Sequence, residues 1–200
     1  MKKLLLGFIS LILVSQVGFS QPVSDQAVIP MAITVNSILR LNIVSGGNIE
    51  FVFNSINDVT NGIANATAYD TRFTVASTTN WTLNFGTDLG AFTATGGGTI
   101  PLDMVALVLA DDAGGNCFTG GRCDNTVPYS PGGGIGVLVN AGTLITNGTG
   151  NVGNSTVNAF VINWECNTAN ATSRFTAAGG TINAAPGRYS ANVFLSLVAI

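Results

Sequence analysis

The chain has 200 residues, of which only 8% are charged, against 46% hydrophobic residues and 25 glycines. Ordinary soluble domains carry about 25% charged residues, so the polar surface here must come from Asn, Thr, Ser and main chain. The formal charge is −3, and −5 without Lys2 and Lys3, which excludes the basic footprint that nucleic-acid binding requires.

Residues 1–20 read as a signal peptide. Lys2 and Lys3 form a positive start, Leu4 to Val14 is an almost unbroken apolar run, and Gly18-Phe19-Ser20 supplies small residues for cleavage before Gln21. The run is shorter than the roughly 20 residues a membrane span needs. The chain is therefore expected to be secreted, with no membrane span. After such cleavage it contains no Lys and no His, and its basic side chains are Arg40, Arg72, Arg122, Arg174 and Arg188.

Beyond Gln21, residues 21–36 hold an alternating strand. Ala27, Ile29, Met31, Ile33 and Val35 lie on one face, and Val28, Pro30, Ala32, Thr34 and Asn36 on the other. From residue 37 to 200 period-two alternation continues, and helical periodicity is almost absent. Leu39, Leu41 and Ile43 form one strand; after Gly46-Gly47, Ile49, Phe51 and Phe53 form another. Asn54 to Gly62 is rich in turn residues. Phe73 and Val75 begin a strand that turns at Thr78-Thr79-Asn80 into Trp81, Leu83 and Phe85. Leu102 to Leu109 is apolar on both faces, as a central strand would be. Short strands around Val137, Val139 and Leu144 precede two longer ones, Val157 to Cys166 and Tyr189 to Ala199. The expected fold is all-β: one β-sandwich or jelly-roll-like domain of about nine to eleven strands.

A long loop, Asp111 to Gly134, interrupts this rhythm with seven glycines, Pro128 and Pro131. Cys117 and Cys123 flank a Gly-containing turn within it and are expected to form a disulfide in an oxidising compartment. Cys166 continues the alternation of Phe160, Ile162 and Trp164, so a buried free thiol is expected there.

Catalytic chemistry lacks its usual parts. Without His or Lys after the signal peptide, Ser–His, Cys–His and Schiff-base schemes have no base or amine. Asp58, Asp70, Asp88, Asp103, Asp111, Asp112, Asp124 and Glu165 remain, but no spacing selects a two-carboxylate pair. No enzyme, cofactor or metal site is therefore expected. Asp111, Asp112, Asp124 and Asn125 could offer oxygen ligands to Ca²⁺, yet no EF-hand or nonapeptide spacing is present, and solvated loop acids are the plainer reading. Asn65, Asn80, Asn147, Asn154 and Asn170 begin N-x-S/T sequences, as chance allows in so Asn- and Thr-rich a chain. Trp81 and Trp164 fall in phase with apolar faces and are read as core, which leaves Tyr129 as the aromatic expected to be exposed.

An apolar comb at a chain terminus can complete the sheet of a neighbouring copy by β-strand addition. The signal sequence, this comb, the Asn/Thr/Gly-rich body and the closing strand Gly187-Arg188-Tyr189-Ser190-Ala191-Asn192-Val193 resemble secreted bacterial fimbrial or pilus-like filament subunits. That resemblance implies a homopolymer at the cell surface, with Ala27, Ile29, Met31, Ile33 and Val35 as the polymerisation strand. The alternative expectation is a secreted carbohydrate-binding or adhesive module that meets a surface or glycan through the Asp111–Gly134 loop.

Overall fold

The computed structural model describes residues 27–112, 118, 121–125, 136–175 and 182–200. These fall into an N-terminal segment ending at Val35 and a body, Asn36–Ile200. The signal sequence, Cys117, Tyr129 and most of the long loop lie outside the described residues.

Among the described residues, twelve segments form β-structure: β1 (Leu39–Ser45), β2 (Asp70–Ser77), β3 (Trp81–Thr87), β4 (Ala91–Ala94), β5 (Gly98–Pro101), β6 (Val105–Asp111), β7 (Cys123–Asn125), β8 (Gly136–Val137), β9 (Ala141–Asn147), β10 (Ala159–Cys166), β11 (Tyr189–Ser190) and β12 (Val193–Ala199). They make three antiparallel sheets. A five-stranded sheet runs β1-β2-β10-β6-β8, a four-stranded sheet β12-β3-β9-β7, and a three-stranded sheet β11-β4-β5.

The two larger sheets supply one hydrophobic cluster. Alternation directs Phe73 and Val75 from β2, Leu107 and Leu109 from β6, and Phe160 and Ile162 from β10 towards Trp81, Leu83 and Phe85 of β3. Phe160 stacks on its sheet neighbour Phe73 at 5.2 Å and meets the edge of Trp81, from the other sheet, at 6.1 Å. A register shift between Leu83 and Asn84 leaves Leu144 of β9 as one extra residue between their partners Ile145 and Thr143, and both Leu144 and Ile145 are buried.

Several expectations need correction. Ile49, Phe51 and Phe53 do pack against the cluster, but no ladder forms there: period two reports an extended backbone, not a partner for its N–H groups. Within Asn54 to Gly62 lies a helix, α1 (Ile56–Asn61). Ser55 Oγ accepts from the Asp58 amide while Asp58 Oδ2 accepts from the Ser55 amide at 2.9 Å, a reciprocal capping box that starts the helix. Leu102–Met104 is a 3-10 turn, so the central strand begins at Val105. The closing segment divides into β11 and β12, which join different sheets. At the division, Asp88 accepts from the Asn192 main-chain and side-chain nitrogens at 2.8 and 2.7 Å, redirecting the chain. In the single copy described, residues 27–38 pair with no strand, which leaves the expectation of a donor strand untouched.

Candidate functional site: a groove between two edge strands

Among the described residues, β1 borders the five-stranded sheet and β12 the four-stranded sheet, each hydrogen-bonded to a strand on one side only. An edge strand leaves alternate N–H and C=O groups unpaired and ready for another strand. Between these two edges lies a groove of about 380 Å³, within the range of sites that hold ligands. Leu41 and Ile43 form one wall and Val193 and Leu195 the other, over a floor of Val105, Leu138, Ile162 and Trp164. The floor residues are buried, whereas Ile43 and Val193 on the rims are 44% and 41% exposed. Inward-facing side chains of a completed sheet pair would be closed off from solvent; these are not.

One end of the groove is shaped by the chain's turn out of β1. A register shift between Ile43 and Ser45 leaves Val44 as an extra residue, and Gly46 follows with φ of +71°. A Cβ on Gly46 would lie 1.8 Å from the Asp70 carbonyl oxygen, so no other residue fits that turn. Thr71 Oγ1 donates to the Gly46 carbonyl at 2.7 Å and accepts from Trp164 Nε1 at 2.9 Å. This chain of bonds ties the turn to the groove floor. Glycine pairs in the sequence marked a break here; the bulge and the close approach to β2 had no sequence signal.

The N-terminal comb is described from Ala27. All five of Ala27, Ile29, Met31, Ile33 and Val35 are exposed, the last four between 77% and 89%. Val28, on the opposite face, is equally exposed.

Other candidate residues have structural partners. Arg72 pairs with Asp112 and, at 3.5 Å, with Asp70; the adjoining Asp112 carboxylate holds the guanidinium above its ordinary range. Asp70 also accepts from Asn163 Nδ2, and Glu165 from Asn170 Nδ2. The Phe118 amide donates to Asp111 at 3.5 Å. Asp58 lies below the usual carboxylate range because the Asn54 amide and the Ser55 cap donate to it. Among the described residues, no three His, Cys, Asp or Glu side chains come together as a metal site. Of the proposed oxygen ligands, Asp112 faces Arg72, Asp124 is exposed on β7, and the Asn125 side chain lies outside the described residues.

Trp81 and Trp164 are both buried. Cys166 is a free, buried thiol, and burial pushes its pKa up to about 12. Cys117 and the Cys123 side chain lie outside the described residues, and the remainder contains no disulfide. Among the described residues no helix is long and apolar enough to cross a membrane.

Neither a scan of protein-family models nor a search of curated proteins finds a match to this chain.

Proposed function

We propose that this protein is a secreted structural subunit of an extracellular filament, built as a β-sandwich and assembled by strand addition between copies. In this reading residues 27–35 of one copy lie in the groove between β1 and β12 of the next. Ile29, Met31, Ile33 and Val35 descend towards the floor, and main-chain groups extend the open sheet edges. The observation that carries the reading is a pairing of complements: a solvent-exposed apolar comb and an apolar groove flanked by strand edges that no described strand pairs.

Dimensions agree. Nine extended residues span roughly 30 Å, and seven-residue edges such as β1 and β12 roughly 23 Å. Burying each large comb side chain contributes about 1.5–3 kcal/mol before the cost of association. Pro30 has no N–H and faces away from the comb's apolar side, so one ladder bond is lost where it sits. A surface with few charges opposes close packing of copies only weakly. The absence of His and Lys after residue 20 supports a structural rather than catalytic role.

The test is deletion of residues 21–35. The shortened protein should remain folded, stay monomeric in analytical ultracentrifugation, and bind a synthetic peptide of residues 21–35. Polymers formed equally well by the shortened protein would rule the donor role out.

A further inference from the structure

The solvent face of the four-stranded sheet carries a second arrangement, separate from the groove. Leu83 and Phe85 of β3 point into the core, so Asn84 and Gly86 face the other way. Cross-strand register then builds two adjacent rows over three strands. Phe194 stands opposite Gly86, which stands opposite Ala141; Ser196 stands opposite Asn84, which stands opposite Thr143. The first row is an aromatic ring beside two very small residues. The second is hydroxyl, amide, hydroxyl. Successive same-face rows are about 6.8 Å apart, close to the width of a sugar ring.

The ring is held in place. A Cβ on Gly86 would lie 2.9 Å from Phe194 Cζ and 2.2 Å from the Asn140 carbonyl oxygen, so the ring lies over the glycine, on space no side chain can occupy. Phe194 is nonetheless 47% exposed. Thr143 Oγ1 donates to Asn84 Oδ1 at 3.1 Å, which fixes the amide and turns its N–H groups away from Thr143. Phe194, Asn84, Thr143 and Ser196 line one shallow depression, and none of them is charged.

We infer that this face binds neutral glycan, with one sugar ring on Phe194 and its hydroxyl groups on the Ser196–Asn84–Thr143 row. An exposed aromatic face attracts the weakly positive C–H groups of a pyranose. A line of neutral donors and acceptors whose central amide is held by Thr143 suits vicinal hydroxyls, and apolar contact with a few placed polar groups is the usual make-up of a small-molecule site. A nucleic acid would need positive charge, which these rows lack. A peptide strand added at the β12 edge would lie beside the sheet and leave these outward-facing side chains uncovered. The assignment does not depend on filament assembly.

The test is isothermal titration of the purified protein with cellohexaose, xylohexaose, mannohexaose and chitohexaose, with saturation-transfer NMR on the same mixtures. At least one sugar should bind with a Kd of about 0.1–1 mM and receive saturation on its ring C–H protons. Phe194→Ala should weaken binding about tenfold or more, while Phe194→Tyr retains it. Because the ring covers Gly86, Phe194→Ala is paired with Ser196→Arg, which leaves the ring and blocks the polar row; it too should lose binding without a change in Tm. No binding by any of the four sugars overturns the inference. So does binding that survives both substitutions, or self-association at this face that Phe194→Ala removes while sugars leave it untouched.

Discussion

The side-chain amide of Asn151 pairs with the main chain of Trp81 as a neighbouring strand would. Its Oδ1 accepts from the Trp81 amide at 2.9 Å, and its Nδ2 donates to the Trp81 carbonyl at 2.7 Å. The Asn151 carbonyl also accepts from Trp81 Nε1 at 2.9 Å and from Asn158 Nδ2 at 3.0 Å. All three residues are buried. One asparagine thus replaces a missing strand at the start of β3 and satisfies the only polar atom of a core tryptophan side chain.

Asn151→Ala should therefore cost about 2–4 kcal/mol, since both main-chain groups of Trp81 lose their partners away from water. Asn151→Asp should be as damaging, because a carboxylate oxygen would face the Trp81 carbonyl. Urea unfolding followed by tryptophan fluorescence measures both.

Gly46→Ala should destabilise the protein by about 3 kcal/mol or prevent folding. It combines a left-handed backbone with a Cβ inside the Asp70 carbonyl. Gly47→Ala, whose Cβ would be 4.0 Å from its nearest neighbour, should be nearly neutral. Thermal melts of the two variants side by side separate the turn's requirement from a general preference for glycine.

Asp88 gives a pH signature. The Asn192 main-chain amide, then its side-chain amide, lower the Asp88 pKa from 3.8. The unfolded chain takes up this proton first, so the stabilisation is present above about pH 4 and is lost as pH falls through the lower folded value. Tm measured from pH 6 to pH 2 should fall less steeply for Asp88→Asn than for the natural protein.

Cys166 acts in the opposite range. Burial raises its pKa from 9.0 to about 12, so the folded state favours the neutral thiol. Its contribution is complete below about pH 9 and declines as pH rises towards 12, where the unfolded chain already ionises. At pH 8 a thiol reagent specific for thiolates should label Cys166 at least about a hundredfold more slowly in the folded protein than in urea.

How far the sequence foretold this structure differs by residue. Strands that alternate across a core, such as Phe73–Val75 and Trp81–Leu83–Phe85, were legible because burial imposes period two. Ile49, Phe51 and Phe53 carried the same signal without a ladder, since alternation records which way side chains point and not whether main-chain groups are paired. The Ser55–Asp58 capping box has a sequence signal, an acid three residues after a serine, but the surrounding turn residues mask it. The groove could not be read at all: its walls come from positions 41–43 and 193–195, and only the sheet order makes both of them edges. Phe194 was hidden for a similar reason, because its partner Gly86 is supplied by a long-range register.

Strand addition between copies is tested most directly by inter-copy cross-linking. One population carries Ile33→Cys in the comb, the other Val193→Cys on the groove rim, both with Cys166→Ser. Neither substitution alone should produce a new covalent dimer. Mixed and oxidised, the two populations should yield a disulfide-linked dimer containing one copy of each, found by mass spectrometry of the joined peptides. Cross-links at Met31→Cys or Val35→Cys in place of Ile33→Cys would only set the register. If comb positions from 29 to 35 all fail to join Val193→Cys or Ile43→Cys of another copy while filaments form, the groove is not where copies meet.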